Sequence, residues 1–103
     1  MKIYISLPIT GRPEQEARHE AELAKETLMQ NGYEAVSPFD INPGKENPQY
    51  EDYICADLRA MLDCDAILFC KGWEKSCGCS IEHDVAMRMM AHNKKSFKIF
   101  YEP

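Results

Sequence analysis

The hydrophobic pattern alternates between short dense runs and longer periodic stretches. Lys2 to Leu7 opens on apolar and aromatic residues and is broken by Pro8 and Gly11, which reads as a buried first strand ending in a loop. Pro13 then opens a helix. From Glu14 to Gln30 the positions Ala17, Ala21, Ala24 and Leu28 recur at spacings of three and four, and Asn31-Gly32 supplies the stop. Tyr33 to Val36 is a second strand ending at Ser37-Pro38. Asp40 to Asn47, rich in Pro, Gly and Asn, reads as a loop that covers a site, forms a subunit contact, or simply crosses the surface.

Pro48 starts a second helix with the apolar face Tyr50, Ile54, Leu58, Met61 and Leu62, and Asp63-Cys64-Asp65 leads to a third strand, Ala66 to Cys70. After a loop from Gly72 to Gly78, a third helix is expected from about Ser80 to His92, with the stripe Ile81, Val85 and Met89. It fades at Asn93, and Lys94-Lys95 leads to a last strand, Phe97 to Tyr101. The order is βαβαβαβ. Right-handed crossovers then give a single-domain α/β three-layer sandwich of the flavodoxin or Rossmann type, with a parallel four-stranded sheet in the order 2-1-3-4. That order places a switch point between strands one and three. The loops Ser6–Arg12 and Gly72–Gly78 face each other across it, and Glu82 stands in the early turns of the following helix.

Composition narrows the functional classes. A chain of 103 residues, 45% hydrophobic, holds one domain, and a net charge of −5 without a Lys/Arg run argues against binding a nucleic acid polymer. Five scattered cysteines and no signal peptide suit the reduced cytoplasm, and the apolar runs are too short to cross a bilayer. Cys77 and Cys79 with His83 form at most a weak zinc pattern, because no second closely spaced pair exists, so no metal is expected. A reactive thiol at Cys77 or Cys79, with its pKa lowered by a helix N-terminus, is the alternative role for that pair.

Two segments carry a resemblance. Ile3-Tyr4-Ile5-Ser6-Leu7-Pro8-Ile9-Thr10-Gly11 and the stretch Gly72-Trp73-x-x-Ser76-x-Gly78-x-x-x-Glu82-x-x-x-Ala86 are similar to the nucleoside 2-deoxyribosyltransferase superfamily, in its short phage- and bacterium-associated branch. Asp57 and Asp65 fall where that superfamily has an acidic helix residue and the Asp before its third strand. The resemblance implies catalytic roles for three residues: Glu82 as nucleophile, Tyr4 as the phenol that holds it, and Asp57 as the acid that contacts sugar or base. It aligns Ser76 with a serine that contacts a 5′-phosphate in related nucleotide hydrolases, and Ile9, Thr10 and Gly11 with their phosphate-binding loop. Ser6, Arg12, Trp73 and Gly78 complete the candidate substrate-binding set, with Arg12 either pairing with a phosphate or projecting into solvent. Trp73 either stacks on a base or plugs the end of the sheet.

The same residues have plainer readings. Glu82 complements a helix dipole, Asp57 sits on a solvated face, Tyr4 packs, and Ser76 is an N-cap. The implied function is N-glycosidic cleavage or 2-deoxyribosyl transfer on a nucleoside or nucleoside 5′-monophosphate, without a cofactor. Its rivals are a non-catalytic nucleotide-binding module and a redox or zinc protein. Relatives of this kind assemble and borrow an Asn or Ser from a neighbouring subunit. A homodimer or larger assembly is therefore expected, with Tyr50, Tyr53 and Met61 as surplus apolar surface and Tyr101-Glu102-Pro103 or the Asp40–Asn47 loop completing the site.

Overall fold

The computed structural model describes residues 1–92 and 96–103; the expected helix end at Asn93 and the Lys94-Lys95 connection lie outside them. The elements run β1 (Lys2–Ser6), α1 (Glu14–Gln30), β2 (Glu34–Val36), α2 (Tyr50–Leu62), β3 (Ala66–Phe69), α3 (Cys77–His92) and β4 (Lys98–Tyr101). Single 3₁₀ turns at Pro38–Asp40 and Trp73–Lys75 precede α2 and α3. All strand pairs are parallel, in the order β2-β1-β3-β4, with Tyr4 opposite Ile67 and Ser6 opposite Phe69. Fold class and strand order are as the sequence predicts.

Strand parity divides the core in two, because successive side chains of a strand point to opposite faces. Ile5 and Leu7 pack with Ala21 of α1 and Cys70 on one face. Tyr4 packs with Ile67, Phe69, Met61 of α2 and Ala86 of α3 on the other. Ser6, two residues from Tyr4, shares the second face and points toward α3, where it meets Glu82. Met61 is wholly buried in this core rather than forming part of a spare apolar surface. Met61→Ala is expected to destabilise the fold by about 2–5 kcal/mol, as other large-to-small core changes do, measured by denaturant unfolding.

α3 begins three residues earlier than expected. The Ser76 hydroxyl accepts from the Cys79 amide at 3.3 Å, and the Ser80 amide closes onto the Ser76 carbonyl at 2.9 Å. That cap carries the poor helix formers Cys77-Gly78-Cys79 into the first turn. Gly78 is therefore a helix residue, and Glu82 lies in the second turn. Gly72 supplies the reversal between β3 and α3 with φ +89°, a conformation other residues rarely adopt, and a Cβ there would face Pro8 at 3.7 Å. No helix among the described residues is long and apolar enough to cross a membrane.

Candidate active site

Glu82 is built in from two elements. α3 delivers its side chain to the C-terminal end of β1, where Ser6 Oγ donates to Oε1 at 2.6 Å and Tyr4 Oη donates to Oε2 at 2.9 Å. Glu82 is only 5% exposed. Burial raises its pKa above the ordinary value, against the lowering effect of the Ser6 and Tyr4 hydroxyls. A buried ion costs several kcal/mol, and two hydrogen bonds to a charged group return roughly 3–6 kcal/mol. Desolvation keeps the upper hand, and Glu82 is a poorly solvated base. Burial, then the charges of Glu82 and Asp57, push the Tyr4 phenol well above its ordinary value, so it stays a hydrogen-bond donor.

Above this carboxyl opens a cavity of about 530 Å³, within the range of small-molecule sites. Leu7, Ile9 and Thr10 from the loop after β1 form one wall, and Ser76, Gly78, Cys79 and Glu82 of the α3 start form another. Tyr50, Tyr53, Ile54 and Asp57 of α2 face them. Asp57 is raised from 3.8 to about 7, first by burial and then by the charge of Glu82. Two acids therefore look into one cavity: Glu82 held by hydroxyls, and Asp57 divided between its protonated and ionised forms near neutrality.

The Asp40–Asn47 segment is part of the cavity wall. Ser37 and Asp40 cap each other through Ser37 N–H to Oδ2 at 2.9 Å and Phe39 N–H to Ser37 Oγ at 3.2 Å, and Lys25 of α1 pairs with Asp40 at 2.8 Å. This knot presents Pro38, Phe39, Ile41, Asn42 and Pro43 to the cavity. Arg18 stands at the same wall, its guanidinium 4.5 Å from the Phe39 ring centroid and its Nε 3.2 Å from Glu14. The sequence marks neither residue as part of the cavity. Arg18 lies on what reads as the solvated face of α1, and Phe39 lies in a segment without periodicity. The only hint was the four-residue spacing from Glu14.

Several expected site residues lie elsewhere. Ser6 is fully buried beneath Glu82 and touches the carboxylate instead of a ligand. Arg12 is held by Glu16 at 3.0 Å, Glu20 at 2.8 Å and the Pro8 carbonyl at 3.1 Å, so it braces the first loop. Gly11 is exposed, with φ +84° in that loop's turn. Trp73 stacks on His83 at 4.2 Å and meets Phe69 at 5.2 Å, so it plugs the sheet end. His83 Nε2 pairs with the Tyr101 hydroxyl at 2.7 Å. Cys77 is exposed and Cys79 is buried, and among the described residues no group of three or more His, Cys, Asp or Glu is placed to hold a metal ion. Burial raises the Cys79 thiol, although the Ser6 and Ser76 hydroxyls act to lower it, which is the reverse of an activated thiolate.

The fold and site together define a parallel α/β protein with a crevice at its switch point and the Glu82 and Asp57 carboxyl groups in that crevice. Residues 1–94 match the domain of unknown function DUF4406, and the chain belongs to that family. No curated protein matches the chain.

Proposed function

We propose that the protein cleaves or exchanges the N-glycosidic bond of a nucleoside or nucleoside 5′-monophosphate through a covalent glycosyl-Glu82 intermediate. One observation carries this reading: the buried Glu82 carboxyl, gripped through both oxygens, at the floor of a cavity that also receives Asp57. The resemblance of the Ile3–Gly11 and Gly72–Ala86 segments to the nucleoside 2-deoxyribosyltransferase superfamily supports the same assignment.

In the first step a Glu82 oxygen forms a bond to C1′ as the C1′–N bond breaks. The bonding pair leaves with the base nitrogen, and protonated Asp57 gives that nitrogen its proton. In the second step water, or a ring nitrogen of another base, attacks C1′ and releases the Glu82 carboxylate, while ionised Asp57 takes the incoming proton. An acid with a pKa of about 7 suits both halves of that cycle. Partial desolvation makes Glu82 the stronger nucleophile, and Tyr4 keeps it in place. The Phe39, Tyr50 and Tyr53 rings offer flat apolar surface for a base. Thr10, Ser76, Gly78 and Arg18 are the groups suited to a 5′-phosphate.

The test is chromatographic detection of free base from a panel of 2′-deoxynucleosides and their 5′-monophosphates, with and without a second base as acceptor. Release from at least one substrate is expected. Ligand-dependent thermal stabilisation without any product would instead support the binding-module reading.

A further inference from the structure

We propose that Ser6 is a positioning residue for the Glu82 nucleophile: it donates to Oε1 while Tyr4 donates to Oε2, so the two side chains together fix the plane of the attacking carboxylate. The inference rests on the reading of Glu82 given above and adds to it a residue that never meets substrate.

The argument begins with strand geometry. Tyr4 and Ser6 are two residues apart on β1, so both project from the same face of the sheet toward α3. The terminal torsion of a glutamate is broad and roughly twofold, so one hydrogen bond holds one oxygen and leaves the other free to swing. The second donor removes that freedom, and at 2.6 Å the Ser6 bond is the shorter of the two. Ser6 has no exposed surface, which takes it out of reach of a ligand in the cavity.

The direction of the bond is fixed by chemistry. An ionised carboxylate only accepts, so the single Ser6 proton goes to Glu82. The Ser6 hydroxyl also faces the Cys79 thiol, which burial keeps protonated and able to donate in turn. The titratable groups facing Glu82 are Tyr4 from β1, Asp57 and Tyr50 from α2, and Cys79 from α3, and all of them are retained when Ser6 alone is changed.

The experiment compares wild type, Ser6→Ala and Ser6→Thr for kcat, KM and pH profile. It also follows the Glu82 carboxyl carbon by NMR titration of the full chain, with the signal assigned by its loss in Glu82→Gln. Ser6→Ala is expected to lower kcat by about tenfold to a hundredfold, the range carried by a hydrogen bond to a charged group, with little change in KM. The carboxyl titration and the acidic limb of the rate profile should both move to higher pH, since a donor that favoured the charged form is gone. Ser6→Thr, which keeps the hydroxyl, should move all three back toward wild type. An unchanged Glu82 titration in Ser6→Ala overturns the proposal whatever the activity. So does a rise in KM at constant kcat, which would make Ser6 a substrate contact. If wild type releases no base from any substrate, the nucleophile reading of Glu82 fails, and the titration still decides whether Ser6 holds the carboxyl.

Discussion

Replacing Glu82 with glutamine or alanine is expected to remove base release almost completely, with kcat falling by about four to six orders of magnitude as in other nucleophile deletions. Asp57 is the neighbouring acid, but its carboxyl is partly protonated near neutrality and is not held by Tyr4 and Ser6. Glutamine is the cleaner variant, because its amide fits the same space and can exchange hydrogen bonds with both hydroxyls, whereas alanine leaves them facing a void. The folded state should not suffer from the glutamine change. The Glu82 pKa is raised by burial, so its ionised form costs stability above that pKa, and a neutral isostere removes the cost. Thermal melts at pH 8 should place Glu82→Gln at or above wild type. A variant that melts normally and still releases base at the wild-type rate excludes Glu82 from the chemistry.

Asp57→Asn is the second large effect. Loss of a general acid lowers kcat by about 10²–10⁴-fold. The loss should shrink for substrates whose base leaves without protonation. In wild type, first-step activity should fall as pH rises through about 7, because burial and then the charge of Glu82 place the Asp57 titration there. Asp57→Asn should lose that limb. Stability should follow the same titration. The folded pKa lies above the ordinary value of 3.8, so the native state holds the proton more tightly and gains stability that is fully present below pH 3.8 and lost as pH climbs through about 7. The asparagine variant should lack that decline and melt higher than wild type above pH 7, as expected when a site keeps an acid in a place that costs stability. Rate–pH profiles beside melting curves on the same two proteins check both statements. An unaltered alkaline limb in Asp57→Asn assigns the proton to another group.

The sheet and α1 were legible because their signals are local and mutually consistent. Pro13 and Asn31-Gly32 bracket α1 at the observed Glu14–Gln30, and the apolar runs give four strands whose crossovers admit few orders. The start of α3 was hidden by the low helix propensity of Cys77-Gly78-Cys79, which the Ser76 cap and tertiary packing override. The resemblance singles out Glu82, Asp57, Ile9, Thr10, Ser76 and Gly78, and all six line one cavity. Spacing alone does not separate Arg12 and Trp73 from Arg18 and Phe39. Which arginine faces the cavity depends on the Glu16 and Glu20 carboxylates claiming the first one, and which aromatic faces it depends on His83 stacking under Trp73. Ser6 was visible as a member of the first-loop motif, but its partner lies 76 residues away, and only the β1–α3 packing shows that it serves Glu82.

The most direct measurement is mass analysis of acid-quenched protein during turnover of a cleaved deoxynucleoside or its monophosphate, followed by peptide mapping. The account predicts an added glycosyl group of the substrate's sugar on the peptide containing Glu82, formed at the rate of base release and absent from Glu82→Gln. Steady turnover with no such adduct at any quench time, or an adduct located on another residue, would contradict it.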